Sequence, residues 1–305
     1  MYNRGTQITK SGIVMQKHKM IGILSGLGAA SIWGGMYVVS KVMLEVIPPF
    51  ALLAARLMLG ILTLGLIIAL RPRTVMNTRQ FRESFLVGVV GYGISLGFQF
   101  VGTKLSTASN ASLVTSATPA FVLLFAPLIL GEKATSRGVI ALIISTLGVV
   151  AVIDPRNTEL SPTLFWGNIS LLAAGLTWAL YSVLVRRVAQ NADLLTSGAV
   201  MLAGGIPSSL VLGAWEVHTR GIGEITMGVI GGILFLGIIS TAIALMMWNY
   251  AFAELPAALA SLTFFAQPVV GTLLGWCFLG ENITPLFMIG GVMIGVGLVI
   301  SSTEK

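Results

Sequence analysis

The chain contains the same helix-and-turn pattern twice, 149 residues apart. Eleven positions in 108–135 recur identically in 257–284. The identical pairs are Ala108 and Ala257, Ala111 and Ala260, Ser112 and Ser261, Leu113 and Leu262, Ala117 and Ala266, Pro119 and Pro268, Leu124 and Leu273, Leu130 and Leu279, Gly131 and Gly280, Glu132 and Glu281, and Thr135 and Thr284. A shared apolar composition would match leucines and alanines by chance, but it would not also align a proline and a Leu-Gly-Glu turn. The chain is therefore an internal duplication.

The repeated segments lie in long apolar runs. The sequence is 55% hydrophobic and only 10% charged, which is too apolar for a soluble domain of 305 residues. Ten runs reach about the 20 residues that a bilayer core requires. They cover residues 20–40, 49–70, 84–103, 107–130, 136–153, 163–185, 194–215, 227–249, 256–279 and 284–302. We predict an all-α integral membrane protein with ten transmembrane helices in two five-helix repeats, 20–153 and 163–302, after an N-terminal segment of residues 1–19.

The basic residues predict how the chain is oriented. An odd number of spans per repeat makes the second repeat enter the membrane from the opposite side, the inverted arrangement typical of secondary transporters. With a cytoplasmic N-terminus, the cytoplasmic segments hold thirteen Lys and Arg residues and the outer segments hold four. The positive-inside rule therefore predicts that the 1–19 segment and both termini are cytoplasmic. The net charge of +7 predicts contact with the anionic headgroups of the lipid bilayer rather than with nucleic acid.

Residues suited to catalysis are scarce. His18 and His218 lie in segments that flank the apolar runs, and Cys277 lies alone inside one. No cluster of His, Cys, Asp or Glu within the runs offers a nucleophile, a general base or a metal site. We therefore expect no enzymatic activity, no metal and no cofactor.

The fourth run is polar in its first half only. Asn110, Ser112, Thr115 and Ser116 come before Pro119, and the residues that follow it are apolar. Small hydroxyl residues in membrane helices often bond only to the preceding turn of their own helix. A polar stripe that stops near the bilayer centre also fits a water-filled vestibule. Both interpretations stay open, and on the second these four residues line a cavity.

Pro119 and Pro268 lie about twelve residues into their runs, near the bilayer centre at 1.5 Å per residue. A proline removes a backbone donor and disturbs the preceding helical turn. Either proline alone is explained by a simple kink. As a pair related by the duplication, they predict two hinges, or two half-helices that meet at a central site.

Arg56 is a charged residue inside an apolar run. Burial of a guanidinium there is costly, so Arg56 must reach the interface, pair with an acid such as Glu45, or face a water-filled cavity. A structural role between helices and direct substrate contact both stay open. Gln99, Asn249 and Gln267 are neutral amides deep enough to need hydrogen-bond partners, with the same two alternatives.

Aromatic residues accompany the polar ones. Trp and Tyr usually mark the membrane interface, but Trp33 and Trp178 lie about twelve to fifteen residues into their runs. Cavity lining, packing and an interfacial belt are the three interpretations. On the first, the aromatic residues of the cavity are Trp33, Tyr37, Trp178, Tyr181, Trp248 and Phe264.

Several of these features occur together in one known family. Each repeat has an Ala-x-x-x-Trp in its first helix, at 29–33 and 174–178, and Ala-Ser-Leu, then Pro, then Leu-Gly-Glu in its fourth, at 111–132 and 260–281. With the ten spans and Arg56, this pattern resembles the EamA family of the drug/metabolite transporter superfamily. The resemblance covers nearly the whole chain after residue 20. Met201 stands where Arg56 would be repeated, so we expect an asymmetric site.

The resemblance implies a secondary transporter of the bacterial inner (plasma) membrane, a permease or exporter of small metabolites such as amino acids or their analogues. It implies alternating access around a central cavity between the repeats. The site residues that it points to are Trp33, Arg56, Pro119, Trp178 and Pro268. A non-transporting membrane assembly or sensor protein with the same bundle is the alternative. We expect a monomer or a homodimer.

Residues 20–40 contain no acid. Related small multidrug exporters use a carboxylate in the first helix for proton exchange, so this form of coupling is disfavoured. Facilitated diffusion, or coupling through Glu132, Glu281 or Glu45, stays open.

Overall fold

The structure is a computed structural model, and it describes residues 4–71, 75–131, 136–153, 161–189, 193–254 and 263–302. The secondary structure of these residues is entirely helical. Seven of the helices are long and apolar enough to cross a membrane, and three more apolar helices, Ser136–Val152, Ala266–Leu279 and Pro285–Gly297, are shorter. The prediction of an all-α membrane protein is therefore confirmed. That these three shorter helices also cross the bilayer, for ten spans in all, stays a prediction.

We label the helices in chain order, with one label for each predicted span and with broken spans given in parts. The bounds are α1 Arg4–Met43, α2 Pro49–Ala69, α3 Thr78–Leu105, α4a Ala108–Thr115, α4b Thr118–Leu130, α5 Ser136–Ile153, α6 Pro162–Ala189, α7 Leu194–Gly204 with Ile206–Arg220, α8 Met227–Leu234 with Phe235–Ile243 and Ala244–Glu254, α9 Ala266–Leu279, and α10 Pro285–Ser302.

Local sequence signals explain where several helices begin and end. The Asn77 side chain accepts from Gln80 N at the start of α3, and the Gln80 side chain accepts from Asn77 N in return. Such a capping box satisfies two donors that a helix start leaves free. Gly131 and Gly280, with φ of 69° and 63°, follow the last residues of α4b and α9. The glycine of the repeated Leu-Gly-Glu is therefore a left-handed helix stop that other residues rarely allow.

The packing pattern is the same in both halves of the chain. α1 packs on α8 and α9, and α6 packs on α3 and on both parts of α4. Likewise α2 packs on α7 and α8, α7 packs on α2 and α3, and α5 packs on α10. These contacts of the first half have counterparts in the second half when the halves are exchanged. The centre of the bundle is consequently formed by helices from both repeats.

Glycines allow the closest helix contacts. A Cβ atom on Gly148 of α5 would lie 2.8 Å from the carbonyl oxygen of Gly290 of α10. A Cβ atom on Gly34 of α1 would lie 2.6 Å from the carbonyl oxygen of Gln267 of α9. Any larger residue would force these backbones apart, as is usual for small residues between membrane helices. The second contact holds α1 against α9 beside Pro268.

Candidate functional site

A cavity lies at the centre of the bundle, between helices of both repeats. The centres of water-sized molecules can occupy about 60 Å³ of it, which is room for about four water molecules. The residues that line it are Trp33, Met36, Tyr37, Arg56, Tyr92, Ser95, Leu96, Gln99, Thr115, Thr118, Ala174, Gly175, Trp178, Ser240, Thr241, Leu245, Phe264 and Gln267. Eight of these were candidates from the sequence: Trp33, Tyr37, Arg56, Gln99, Thr115, Trp178, Phe264 and Gln267.

The fourth span is broken beside this cavity, because α4a ends at Thr115 and α4b begins at Thr118. A break inside a membrane leaves backbone carbonyls that need new donors. Gln267 Nε2 donates to Ser112 O at 3.1 Å, and Thr118 Oγ1 donates to Thr115 O at 2.7 Å. Ser116 N donates to Leu113 O at 3.2 Å. Side chains and tightened turns therefore satisfy the carbonyls at the break.

The ninth span is irregular at the equivalent place. A 3₁₀ turn, Thr263–Phe265, precedes α9, and Pro268 is the third residue of α9. Pro119 is the second residue of α4b. Both prolines thus lie in the first turn of a helix, where a missing N–H costs little. The two half-helices expected from the proline pair are present for α4, and 255–262, the first part of the ninth span, lies outside the described residues.

π-Helical turns occur at equivalent places in α3 and α8, at Val89–Ser95 and Phe235–Ile243. Such turns are rare and are often found at functional sites. In the second turn, Thr241 Oγ1 donates to Leu236 O at 2.8 Å and accepts from Arg56 Nε at 2.7 Å. The extra residue in the turn therefore presents a hydroxyl group to the arginine. No pattern in the sequence indicates either turn.

Arg56 is the charged group of the cavity wall, and only 5% of its surface is exposed. Its guanidinium carbon lies 5.6 Å from the centre of the Phe100 ring, and its Nη1 atom has no hydrogen-bond partner among the described residues. Among the three alternatives for Arg56, the pair with Glu45 is not formed, because Glu45 is exposed two residues after the end of α1. Arg56 is thus a cation of the cavity wall with a buried donor that the described residues leave unpaired.

Aromatic rings form two clusters on the cavity wall. The centre of the Trp33 ring lies 5.3 Å from that of Trp248 and 6.0 Å from that of Phe264. The centre of the Trp178 ring lies 5.8 Å from that of Tyr92. Trp33 Nε1 donates to Ser240 O at 2.9 Å. The tryptophan of each Ala-x-x-x-Trp therefore contacts the π-helical turn of the opposite half, and the interfacial position is wrong for both.

The hydroxyl stripe of α4a does not form a wet vestibule. Ser112 Oγ donates to Ser109 O at 2.9 Å, and Ser116 Oγ donates to Leu113 O at 2.7 Å, so both point along their own helix and are buried. Thr115 does line the cavity, and its hydroxyl pairs with that of Tyr37 at 2.6 Å. The back-bonding interpretation is thus correct for the two serines.

Three other candidates are not among the described residues that line the cavity. Asn110 Nδ2 donates to Ser106 Oγ and Asn168 Oδ1 at the start of α4a, away from the break. Tyr181 donates to the hydroxyl of Tyr92 at 3.1 Å behind the Trp178 ring. The Trp248 ring packs behind Trp33 and Phe264. The side chain of Asn249 lies outside the described part of the chain.

Three charged side chains that were not site candidates join helices at one end of the bundle, and we call them the polar clasps: Lys41, Glu216 and Glu281. The Glu281 carboxylate accepts from Ala108 N at 2.6 Å, Ser109 N at 2.8 Å and Ser109 Oγ at 2.5 Å.

The other two clasps join further helix ends at the same face. Glu216 Oε2 accepts from Phe50 N at 2.7 Å. Lys41 Nζ donates to the carbonyl oxygens of Lys104 and Ser106, both at 2.7 Å. Glu216 was missed because the predicted span stops at residue 215, whereas the helix continues to Arg220.

Among the described residues, no three His, Cys, Asp or Glu side chains come together as metal ligands would.

The sequence profile of the EamA-like transporter family matches residues 20–153 and 165–303. The chain belongs to this family. The resemblance read from the sequence is thereby confirmed, and the protein is a multi-pass membrane protein of a transporter family.

Curated EamA-like relatives match most of the chain. The uncharacterized transporter YoaV of Bacillus subtilis is 23% identical over 284 residues, which cover 93% of this chain and 96% of YoaV. The uncharacterized inner membrane transporter YedA of Escherichia coli K12 is 26% identical over 276 residues, 88% of this chain and 87% of YedA. A solved crystal structure with 21% identity superposes with a TM-score of 0.63 over 92% of this chain and 95% of its own, which supports the fold.

Proposed function

We propose that this EamA-like protein is a secondary transporter that moves small metabolites through the central cavity by alternating access. The observation that carries the proposal is Arg56, a buried cation of the cavity wall with a donor that the described residues leave unpaired, beside the break in the fourth span. An ionisable group at this depth of a membrane bundle is expected to serve a substrate pathway. A carboxylate, as in amino acids and their analogues, is the group that a guanidinium binds best.

Contacts at the clasp end support an inverted arrangement of the repeats. There the start of α4a meets the residue that follows α9, through Ala108 and Glu281. Equivalent helices of the two repeats therefore run in opposite directions. The exposed tryptophans Trp166, Trp215 and Trp276 lie toward this same end, as an interfacial aromatic belt would.

The charge bias of the loops supports the clasp end as the outer face and both termini as cytoplasmic. The proposed location is the inner (plasma) membrane. Lys41 joins the outer end of α1 to that of α3, and Glu281 joins the outer end of α9 to that of α4a. An outward opening of the cavity requires these contacts to part. The break in α4 allows the outer and inner halves of the fourth span to move separately.

Thiol labelling tests the proposal. Ser240 lines the cavity and its hydroxyl donates only to Leu236 O of its own helix, so Ser240→Cys is a mild change. In a Cys277→Ser background, a membrane-impermeant thiol reagent should reach this position from each face of the membrane. A transported solute should raise the labelling rate from one face of the membrane and lower the labelling rate from the other face. A non-transporting assembly or sensor protein would give rates that no solute changes in opposite directions.

A further inference from the structure

We propose, on the basis of the function above, that the preferred substrates are small organic anions that carry a carboxylate and no ammonium group. Among the described residues that line the cavity, Arg56 is the only one with a formal charge, and none of them is an acid. An amino acid zwitterion would leave this positive charge uncompensated. A monoanion would neutralise it, and burial of an unpaired charge is costly.

The remaining polar groups of the cavity wall give the same answer. Thr118, Ser95 and Ser240 each donate to a backbone carbonyl, at 2.7, 2.8 and 3.1 Å. Gln267 Nε2 donates to Ser112 O, and Trp33 Nε1 donates to Ser240 O. These bonds use the hydroxyl, amide and indole hydrogens of five wall residues, and they occupy carbonyl oxygens that an ammonium group would need as acceptors. Arg56 Nη1 is a buried, charged donor without a partner among the described residues, and a guanidinium donor suits an anion.

The size of the cavity limits the anion. Space for about four water molecules admits a carboxylate with a short carbon chain, and the surrounding Trp33, Trp178 and Phe264 rings suit an apolar remainder. A monoanion also carries one charge across the membrane. An inside-negative potential then drives its exit, with roughly a fifty-fold concentration ratio at 100 mV. Export would need no coupling ion, in agreement with the absence of an acid from residues 20–40.

A matched pair of probes tests the charge rule on the unmodified protein. Pyruvate and alanine share a three-carbon carboxylate, but alanine carries an ammonium group in place of the keto oxygen. In proteoliposomes with a valinomycin-set potassium potential, pyruvate uptake above that of protein-free liposomes should exceed alanine uptake by at least about tenfold. An inside-positive potential should accelerate it. Quenching of Trp33 and Trp178 fluorescence in detergent gives an independent measure of binding.

A charge added to the cavity provides the second arm. Gln99 lines the cavity next to Phe100, the ring beneath the guanidinium. Gln99→Glu keeps the shape and supplies a resident carboxylate, so pyruvate quenching should fall about tenfold or more, while Gln99→Asn keeps an amide and should retain the preference for pyruvate over alanine. Arg56→Lys, which loses the two-point geometry, should also weaken pyruvate binding and leave the protein in the membrane.

Two results would overturn the proposal. Uptake of alanine equal to or above that of pyruvate would remove the charge rule and leave the transport function standing. Absence of uptake and quenching with both probes, together with Ser240→Cys labelling that neither probe changes, would remove the charge rule and the transport function together.

Discussion

Gln267 shows how one side chain replaces a missing backbone hydrogen bond. The break after Thr115 leaves Ser112 O without its usual helical donor, and the Gln267 amide, from the other repeat, supplies one at 3.1 Å. The same amide nitrogen lies 3.2 Å from Thr115 Oγ1, which in turn pairs with the Tyr37 hydroxyl. One residue therefore connects α9, α4a and α1 beside the cavity.

We expect Gln267→Leu to lower the free energy of unfolding by about 1 kcal/mol, because Ser112 O loses its donor in an environment without water. The measurement is the thermal midpoint of the purified protein in detergent. Gln99→Leu is the control, since Gln99 lines the same cavity and no described carbonyl depends on its amide. Equal midpoints for the two variants would contradict the assigned role of Gln267.

At the scale of the helix, the fourth span has two prolines with different surroundings. Pro119 is the second residue of α4b, directly after the break, whereas Pro127 lies inside α4b. In an unbroken helix Pro119 would be an interior proline, which costs about 3 kcal/mol. This penalty favours the broken form of the span.

Pro119→Ala removes that penalty and should shift the span toward an unbroken helix, by up to about a hundredfold in the equilibrium. We expect slower turnover with little change in binding, measured as initial uptake rate against substrate concentration. Pro127→Ala makes the same chemical change away from the break and should leave the rate within about twofold. If both variants transport normally, the prolines only shape the bundle.

The Glu281 clasp also acts at the scale of the helix, because it joins the end of one helix to the start of another. Its carboxylate accepts three hydrogen bonds at the start of α4a, and charge-assisted bonds of this kind are worth about 1.5–3 kcal/mol each. Glu281→Gln should weaken the closed outer end and raise labelling of Ser240→Cys from outside by roughly tenfold. Glu224→Gln removes a charge from the exposed loop between α7 and α8 and serves as the matched control. A labelling rate unchanged by Glu281→Gln would exclude the clasp from the gate.

The sequence predicts the cavity residues correctly where their position within an apolar run decides the outcome. A charged residue as deep as Arg56 is too costly to expose to lipid, and Trp33 and Trp178 lie too deep for the interface. All three line the cavity. The prediction is wrong where the rotation of a helix about its axis decides which side chains face the cavity. A small hydroxyl residue such as Ser112 can bond to its own helix or face a cavity, and the sequence does not distinguish the two. The π-helical turn that presents Thr241 depends on packing between helices and has no local sequence signature.

At the scale of the whole molecule, the duplication predicted both the family and the symmetry of packing. The orientation in the membrane rests on loop charge. Reporter fusions after Arg79, between α2 and the predicted start of the third span, and after Gly223, between α7 and α8, should give opposite signals, cytoplasmic for the first and external for the second. A fusion after Asn77 should match the first. Equal signals at Arg79 and Gly223 would reject the inverted arrangement.

Three hydrogen bonds around the cavity cross from one repeat to the other: Arg56 with Thr241, Trp33 with Ser240, and Gln267 with Ser112. Neither half can therefore complete its own polar interior, and each is an obligate partner for the other. Two polypeptides made by dividing the chain between residues 153 and 161 should restore transport by complementation when co-expressed. Either one alone should be degraded, because its buried donors and acceptors would find no counterpart in lipid.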